Sequence, residues 1–540
     1  MTTTASTAAD PAARPEPSAG PRNEPGALRR ALAGLLTLAV ALAVASLLAA
    51  LMKVDGPVEV VGNRFIDATP RWLKTFAIDQ FGRNDKRALL TGIWVVLVLF
   101  AAAVGRIAWS RRASALGAVA AFGVVGAFAA TTRTGSQGGD WLPPIVGAAV
   151  GGVALWLLVR STTATPPVPA VRTSTPTESP TAYARRRFIA TAAATAATAG
   201  IAALTSGAVR RSANTRVATA RATRASRGLP TPKSVAKPIA PTATAPGGAE
   251  TYLTANADFY RIDTALSIPS INVDTWRLRI GGMVDHPLEL TYDDLLAMPM
   301  IERTVTLTCV SNEIGGDLIG NATFLGVPLA DLLKKVGVQA GGEQVASTSD
   351  DGWTCGFPTK LALDGRDAMV AVGMNGEVLP TMHGYPARLV VPGLYGYVSA
   401  TKWLTDIKLT TWDGFNGYWV PRGWSKEGPI KTHSRIDVPK RGAAVTAGKV
   451  AVAGVAWAQH RGIAKVELQI DSAPWVEATL ADEPTVDAWR QWSYAWDATP
   501  GRHVIAVRAT DHNGDTQTME HADVAPNGAT GWHTIRVDVR

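Results

Sequence analysis

Cys309 is the residue of this chain whose type and setting offer chemistry. It stands in Thr306-Leu307-Thr308-Cys309-Val310-Ser311-Asn312-Glu313, where Val305–Cys309 reads as a strand that hands the cysteine to a loop. A thiolate at such an exit is a soft donor and suits a soft metal. The chain has one other cysteine, Cys355, so a packed thiol or a Cys309–Cys355 bridge are equally available readings. Two cysteines exclude a disulfide-stapled scaffold and a four-thiolate zinc or iron–sulfur site. Basic and hydroxyl groups gather in three other stretches. These are Phe259-Tyr260-Arg261-Ile262-Asp263-Thr264, His383-Gly384-Tyr385-Pro386-Ala387-Arg388, and Ser399-Ala400-Thr401-Lys402-Trp403.

The chain that must position these groups has two halves. Residues 1–250 carry 28 Lys and Arg against 11 Asp and Glu, while residues 251–540 carry 25 against 33. All eight histidines lie at or after His286. A nucleic-acid binder should carry its basic patch on its folded domain, so no nucleic acid is expected as a partner. The basic half is also the greasy half, which points to a lipid bilayer.

Four uncharged apolar runs, Ala31–Met52, Ala88–Gly105, Ala113–Thr132 and Trp141–Val159, are each long enough for a helix crossing a hydrocarbon core about 30 Å thick. A fifth and weaker run, Phe188–Val209, follows Arg185-Arg186-Arg187. That arrangement resembles a twin-arginine export signal, although it is internal and has Ala184 where a Ser or Thr is usual. As a plain fifth span with an arginine cluster held inside, it gives the same topology. The expected organisation is a disordered cytoplasmic N-terminus at 1–27 and four transmembrane helices at 28–160. A cytoplasmic linker follows at 161–184, a twin-arginine-like fifth helix at 185–211 and a disordered Ala/Pro/Thr tether at 212–250. Two further domains, 251–439 and 440–540, are then extracytoplasmic parts of a multi-pass protein of the cell membrane. The first external loop, 53–87, fits least well, since it carries seven Lys and Arg and five acids.

From Thr251 onward strands and short helices interleave without a βαβ rhythm, which reads as α+β. Val273–Ile280 is expected as a strand, Thr291–Ala297 as a capped helix, Pro328–Val336 as an amphipathic helix and Arg388–Pro392 as a buried strand. After about Lys440, Val450–Trp457, Ala464–Ile470, Trp492–Trp496 and His503–Thr510 alternate between Gly, Pro and Asp turns, the pattern of an immunoglobulin-like β-sandwich.

In their order and spacing, the Phe259–Thr264, Cys309, His383–Pro392 and Ser399–Trp403 segments, with Met374-Asn375-Gly376 ahead of Leu379-Pro380, resemble the sulfite oxidase family of molybdopterin-dependent oxidoreductases over about residues 251–440. The last hundred residues are similar to that family's C-terminal dimerisation domain, which implies a homodimer through 440–540. The resemblance implies that Cys309 supplies the protein thiolate to the molybdenum of a molybdenum–molybdopterin cofactor. The cofactor contacts would be Tyr260, Arg261, Ile262, Asp263, Thr264, His383, Arg388, Ala400, Thr401 and Lys402, with Ser349 falling near another. Asp263 and Thr264 replace the Asn-His of sulfite oxidases. Cys309, Arg261 and Asn312 are the candidate catalytic residues.

The implied reaction is two-electron oxygen-atom transfer on a small sulfur or nitrogen compound. Sulfite oxidases hold their anion with several arginines and a tyrosine. Here Arg261 stands for one arginine, no basic residue follows Cys309 until Lys334, and Asp351-Gly352-Trp353-Thr354-Cys355 occupies the place of the tyrosine. A neutral S-oxide or N-oxide fits at least as well as sulfite. There is no Cys-x-x-Cys-His and no His within any apolar run, so no haem is expected. Electrons would pass to or from a separate electron-transfer protein or a quinone-linked haem protein. Two rival readings exist. Ser399-x-x-Lys402 spells the acylation motif of penicillin-binding proteins, although Ser311-Asn312 precedes it and Lys431-Thr432-His433 lacks the expected Gly. The other rival is a non-enzymatic anchored binding protein.

Overall fold

The computed structural model describes residues 25–70, 73, 76, 80, 81, 85–133, 135, 136, 138–162, 179–226, 228–238 and 248–540. Most of the expected N-terminal segment at 1–27 and of the linker at 161–184 lies outside the described residues.

The chain divides into two compact units. The first comprises Met1–Val58, Arg87–Phe128 and Gly139–Ser206. Five helices, Ala27–Met52, Lys86–Ile107, Arg112–Thr132, Leu142–Thr162 and Thr181–Ser226, are long and apolar enough to cross a membrane. Within this unit small residues let backbones meet. A Cβ on Gly34 would fall 1.9 Å from the Ala101 carbonyl oxygen, and one on Gly105 would fall 2.2 Å from that of Arg30. Such close approach is how apolar helices pack where no hydrophobic effect drives them together.

The helix Pro180–Ser226 runs fifteen residues past position 211, where a tether was expected to begin. From Ala208 to Ser226 the sequence holds no Gly or Pro and is rich in Ala and Arg, both good helix formers. Gly228, at φ +76°, follows its end. Residues 228–238 also differ from a free tether. Lys233 N–H donates to the Met300 carbonyl (2.8 Å), and Ser234 bridges Ile301 in parallel. The remainder of that stretch, 239–247, lies outside the described residues.

The second unit comprises Glu59–Lys86, Ala129–Gly138 and Gly207–Arg540. Its strands are β1 (Leu278–Gly282), β2 (Leu288–Leu290), β3 (Ile301–Thr308), β4 (Ile319–Pro328), β5 (Gln344–Ser349), β6 (Thr354–Pro358), β7 (Met369–Met374), β8 (Glu377–Val378), β9 (Arg388–Val390) and β10 (Leu404–Thr410). They form two sheets, ordered β2-β1-β10-β5-β6 and β3-β4-β7-β8, with β9 paired to β7. Between them come the short helices Tyr292–Leu296, Leu329–Val336, Lys360–Leu363 and Gly396–Ser399.

The Tyr292–Leu296 helix starts on a capping box. Thr291 Oγ1 accepts from Asp294 N–H, and Asp294 Oδ2 accepts from Thr291 N–H. In Leu329–Val336 the buried residues Leu329, Leu332, Leu333 and Val336 make one apolar stripe. The first strand is shorter than expected. Asn272 Oδ1 accepts from Asp274 N–H (3.1 Å), which turns the chain there and delays β1 to Leu278.

The last hundred residues form β11 (His433–Val438), β12 (Ala444–Val445), β13 (Gly448–Trp457), β14 (Ile463–Ile470), β15 (Val476–Glu477), β16 (Thr479–Leu480), β17 (Arg490–Ala498), β18 (Gly501–Asp511) and β19 (His533–Val539). Two sheets result, β11-β13-β17-β16 and β12-β19-β18-β14-β15. Alternate residues of both, among them Val452, Trp492, Val466, Leu468, Ile505 and Val537, meet in one apolar core.

Candidate functional site

Cys309 sits where β3 ends. Thr308 pairs with Ile319 across the β3–β4 hairpin, and Cys309 N–H donates to the Leu318 carbonyl (2.9 Å), so residues 310–317 form a loop closed at its base. The strand delivering it is braced by buried hydroxyls. Thr306 Oγ1 donates to Asn321 Oδ1 (2.9 Å) and accepts from Trp489 N–H (2.7 Å). Gln459 Nε2 donates to the Thr306 carbonyl (3.0 Å) and to Thr308 Oγ1 (3.2 Å).

Cys309 and Cys355 are both buried and free, so they are not bridged. Burial pushes the Cys309 thiol up, against the hydrogen bond that Ser311 N–H donates to its sulfur (3.4 Å). A thiolate there needs a cationic or metal partner to form. Asn312 Oδ1 accepts from Leu318 N–H (2.9 Å), so that side chain shapes the loop rather than presenting its oxygen to a ligand. Glu313 is exposed.

The other candidate residues converge near this sulfur. Tyr260, Tyr395 and Lys402 all lie within electrostatic reach of it. Asp263 is the hub of a charge cluster. Its Oδ2 accepts from Lys402 Nζ (2.6 Å) and Arg261 Nε (2.7 Å), and its Oδ1 from an Arg261 terminal nitrogen and Lys86 Nζ (both 3.1 Å). Burial alone would raise this carboxyl. The Lys402 ammonium first, then Arg261 and Lys86, outweigh burial and hold it well below the usual carboxylate range. Burial lowers Lys402 to about 8, and Asp263 offsets only part of that.

Arg388, only 5% exposed, donates to the backbone carbonyls of His383 (3.1 Å) and Leu389 (3.4 Å). Among the described residues it has no carboxylate partner, and burial lowers it to about 10. A buried guanidinium without a counter-ion is costly unless an anion arrives. The site therefore carries Arg261, Lys86, Lys402 and Arg388 around the Asp263 carboxylate, with the Asp351 carboxyl, pushed up by burial, within reach of Lys402. That surplus, beside a soft sulfur, fits the phosphate and the metal of a pterin cofactor.

Gly384 holds the turn that brings two of these groups together. It sits at φ +114°, and a Cβ there would lie 3.0 Å from Lys402 Cα and 3.1 Å from Arg388 Cβ. His383 Nε2 lies 2.9 Å from the Asn256 carbonyl, which fixes the proton on that nitrogen, and Phe259 meets its ring edge-on. Ile262 is half exposed, and Thr264 and Ala400 are partly buried beside the cluster in sequence. Thr401 Oγ1 pairs with Ser347 Oγ (2.7 Å) and Cys355 Sγ (3.1 Å), so its hydroxyl braces the fold. Ser349 N–H donates to the Trp353 carbonyl (2.9 Å), closing a turn that puts Asp351 within reach of Asp263 and Lys402.

The Ser-x-x-Lys reading fails on geometry. Ser399 Oγ donates to the Tyr395 carbonyl (3.0 Å), while Lys402 reaches Asp263, so the hydroxyl and the amine are not paired. Lys86, Asn256 and Tyr395 were not found from the sequence, while Asp351 was read there as part of the stretch in the place of the family's tyrosine. Lys86 comes from 177 residues away with no motif around it.

Two histidines, buried His383 and partly buried His533, predict acid sensitivity. Burial, with neighbouring Arg388 and Lys402 at His383 and Arg435 at His533, lowers each imidazole from 6.5 to about 4. The unfolded chain takes up these protons near pH 6.5, the folded chain only near pH 4. Their contribution to stability is complete above about pH 6.5 and is lost as pH falls toward 4. Thermal melts of the apo protein should drop steeply across that window. His533→Gln, which keeps an acceptor for the Ile436 N–H now bonded to His533 Nδ1, should flatten part of the slope.

Comparison with known proteins follows the same outline. A family profile described as an oxidoreductase molybdopterin binding domain matches residues 265–419. The mitochondrial sulfite oxidase of Macaca fascicularis is 27% identical over 345 residues, covering 54% of this chain and 62% of that protein. The chain thus spans under two thirds of that relative's length. The uncharacterized oxidoreductase YuiH of Bacillus subtilis (strain 168) is 34% identical over 153 residues, covering 28% of this chain and 74% of that protein. The solved structure of the sulfane dehydrogenase SoxCD from Paracoccus pantotrophus is 24% identical, with a TM-score of 0.48, covering 54% of this chain and 82% of that one.

Proposed function

The chain belongs to the sulfite oxidase family of molybdopterin-dependent oxidoreductases, and from that premise we propose a membrane-anchored, extracytoplasmic enzyme of oxygen-atom transfer. Its substrate is a small sulfur or nitrogen compound, by sulfite oxidation or by reduction of an S-oxide or N-oxide. The observation that carries this reading is the buried Cys309 thiol set beside a surplus of cations, Arg388 among them with no carboxylate partner among the described residues.

When bound, the molybdenum cofactor would supply two-electron oxygen-atom transfer, giving electrons singly to a partner in sulfite oxidation and receiving them singly from one in oxide reduction. The chain's own residues hold and orient. Cys309 offers the thiolate. Arg388, Lys402 and Arg261 face the anionic part, and neutral His383, locked on the Asn256 carbonyl, presents Nδ1 without adding charge. The family's pterin contacts, carried over by position, are Tyr260–Thr264, His383, Arg388 and Ala400–Lys402, with Ser349 nearby.

Five apolar helices support anchoring in the cell membrane, and Arg185–Arg187 on the inside would place residues 251–540 outside. The electron partner is then a separate electron-transfer protein or a quinone-linked haem protein. The C-terminal two-sheet unit is taken as an immunoglobulin-like domain that pairs two copies.

No Lys or Arg follows Cys309 until Lys334, and Asp351-Gly352-Trp353 stands in the place of the family's tyrosine, which favours a neutral oxide over a sulfite dianion. Full-length protein made in a molybdopterin-competent host should hold one molybdenum and one pterin per chain by elemental and fluorescence analysis. It should reduce methionine sulfoxide or an N-oxide with reduced viologen faster than it oxidises sulfite. Metal-free protein from such a host would overturn the proposal, and faster sulfite oxidation would overturn the substrate preference.

A further inference from the structure

Segment Glu59–Lys86 belongs to the same compact unit as the catalytic fold, and it touches that fold at chosen points. Asp67 accepts from the Tyr418 hydroxyl and, at 3.4 Å, from Arg422. Lys86 goes further, into the charge cluster. Its Nζ lies 3.1 Å from Asp263 Oδ1, 2.9 Å from the Asp263 carbonyl and 2.6 Å from the Ala265 carbonyl. An ammonium has three donors, and these three acceptors suffice for all of them. Lys86 thus grips both the carboxylate and the backbone of one turn.

We propose that Lys86 is a positioning residue of the cofactor site, latching the end of the Glu59–Lys86 segment onto Asp263 and setting how firmly that carboxylate holds Lys402 and Arg261. The inference rests on the molybdopterin reading above. Each cation on Asp263 weakens its hold on the others and adds positive charge for an incoming anion, so removing Lys86 lets Asp263 hold Lys402 and Arg261 more tightly and lowers the charge that meets the anion. The acid at position 263, where the family resemblance has a different residue pair, is what gives Lys86 its acceptor. Lys86 is one third exposed, so its substitution leaves the core intact.

The test uses the full-length, cofactor-loaded protein and the variants Lys86→Gln, Lys86→Arg, Asp263→Asn and the double variant Lys86→Gln/Asp263→Asn. Release of pterin after dilution is followed by its fluorescence, with the thermal midpoint measured alongside. Lys86→Gln should release pterin about tenfold faster with little change in midpoint, and Lys86→Arg should stay near wild type. Adding Lys86→Gln to Asp263→Asn should change little, because the acceptor is already gone. The proposal falls if Lys86→Gln releases pterin at the wild-type rate, or if its effect is undiminished in the Asp263→Asn background. A wild-type protein that never holds pterin overturns the cofactor reading and this inference with it.

Discussion

Cys309→Ser should keep a folded protein and most of its pterin while turnover falls by more than about 100-fold. Serine differs from cysteine by one atom, and the hydroxyl can still accept from Ser311 N–H and occupy the same buried space. The braces on β3 are untouched, since they run through Thr306, Asn321, Gln459 and Trp489. What is lost is a soft, readily ionised donor. An alcohol is far harder to deprotonate than a thiol, and a buried one harder still, so the metal loses an anionic sulfur ligand. The cations proposed to hold the cofactor's anion, Arg388, Lys402 and Arg261, are untouched, which is why pterin should stay. Molybdenum and pterin content, a thermal melt and steady-state turnover with the oxide substrate check this together. Turnover within about threefold of wild type in a loaded Cys309→Ser protein would show that Cys309 is not the ligand.

That Cys309 could be picked from sequence has a physical basis. Val305–Cys309 reads as a strand in the sequence, and the structure starts that strand earlier, at Ile301, and ends it at Thr308, one residue before Cys309. The Thr291 cap and the Leu329–Val336 stripe were legible for the same reason, because local chemistry dictates local structure. The His383-Gly384-Tyr385-Pro386 turn was legible as a motif, but its work was not. Only the fold shows that Gly384 lets the turn approach Lys402 and Arg388 closely.

Where the sequence misled, a longer-range or competing force decided. Asn272 redirected a run that otherwise alternates like a strand. The Ala/Arg stretch after residue 211 looked like a solvated tether by composition, yet Arg221 donates to the Val378 carbonyl (3.0 Å) and Arg224 pairs with Asp274 and Asp293. Those contacts give the helix a partner that no local pattern announces. Lys86 is the extreme case, a single cation whose meaning depends on a carboxylate far along the chain.

Arg388→Met should separate what the cofactor needs from what the fold needs. Methionine keeps much of the length and apolar stem of arginine and removes the charge. In the apo protein, among the described residues, the buried guanidinium has two backbone carbonyls as acceptors, the Phe324 ring beside it and no carboxylate, so losing it removes an uncompensated charge and at the same time strands the His383 and Leu389 carbonyls. These terms oppose each other at about 1–3 kcal/mol each. The apo thermal midpoint should therefore move by no more than a few degrees. Cofactor binding has no such cancellation. A charge-assisted, two-pronged contact to phosphate contributes roughly 1.5–3 kcal/mol, so pterin affinity should fall by between about ten- and a hundredfold. Arg388→Lys should not restore it, because an ammonium on that backbone cannot present the planar fork. Pterin occupancy after gel filtration, set beside the apo melt, reads both quantities from one preparation. Full occupancy in Arg388→Met would mean that the buried guanidinium serves the fold, and that the anion is held by Lys402 and Arg261 alone.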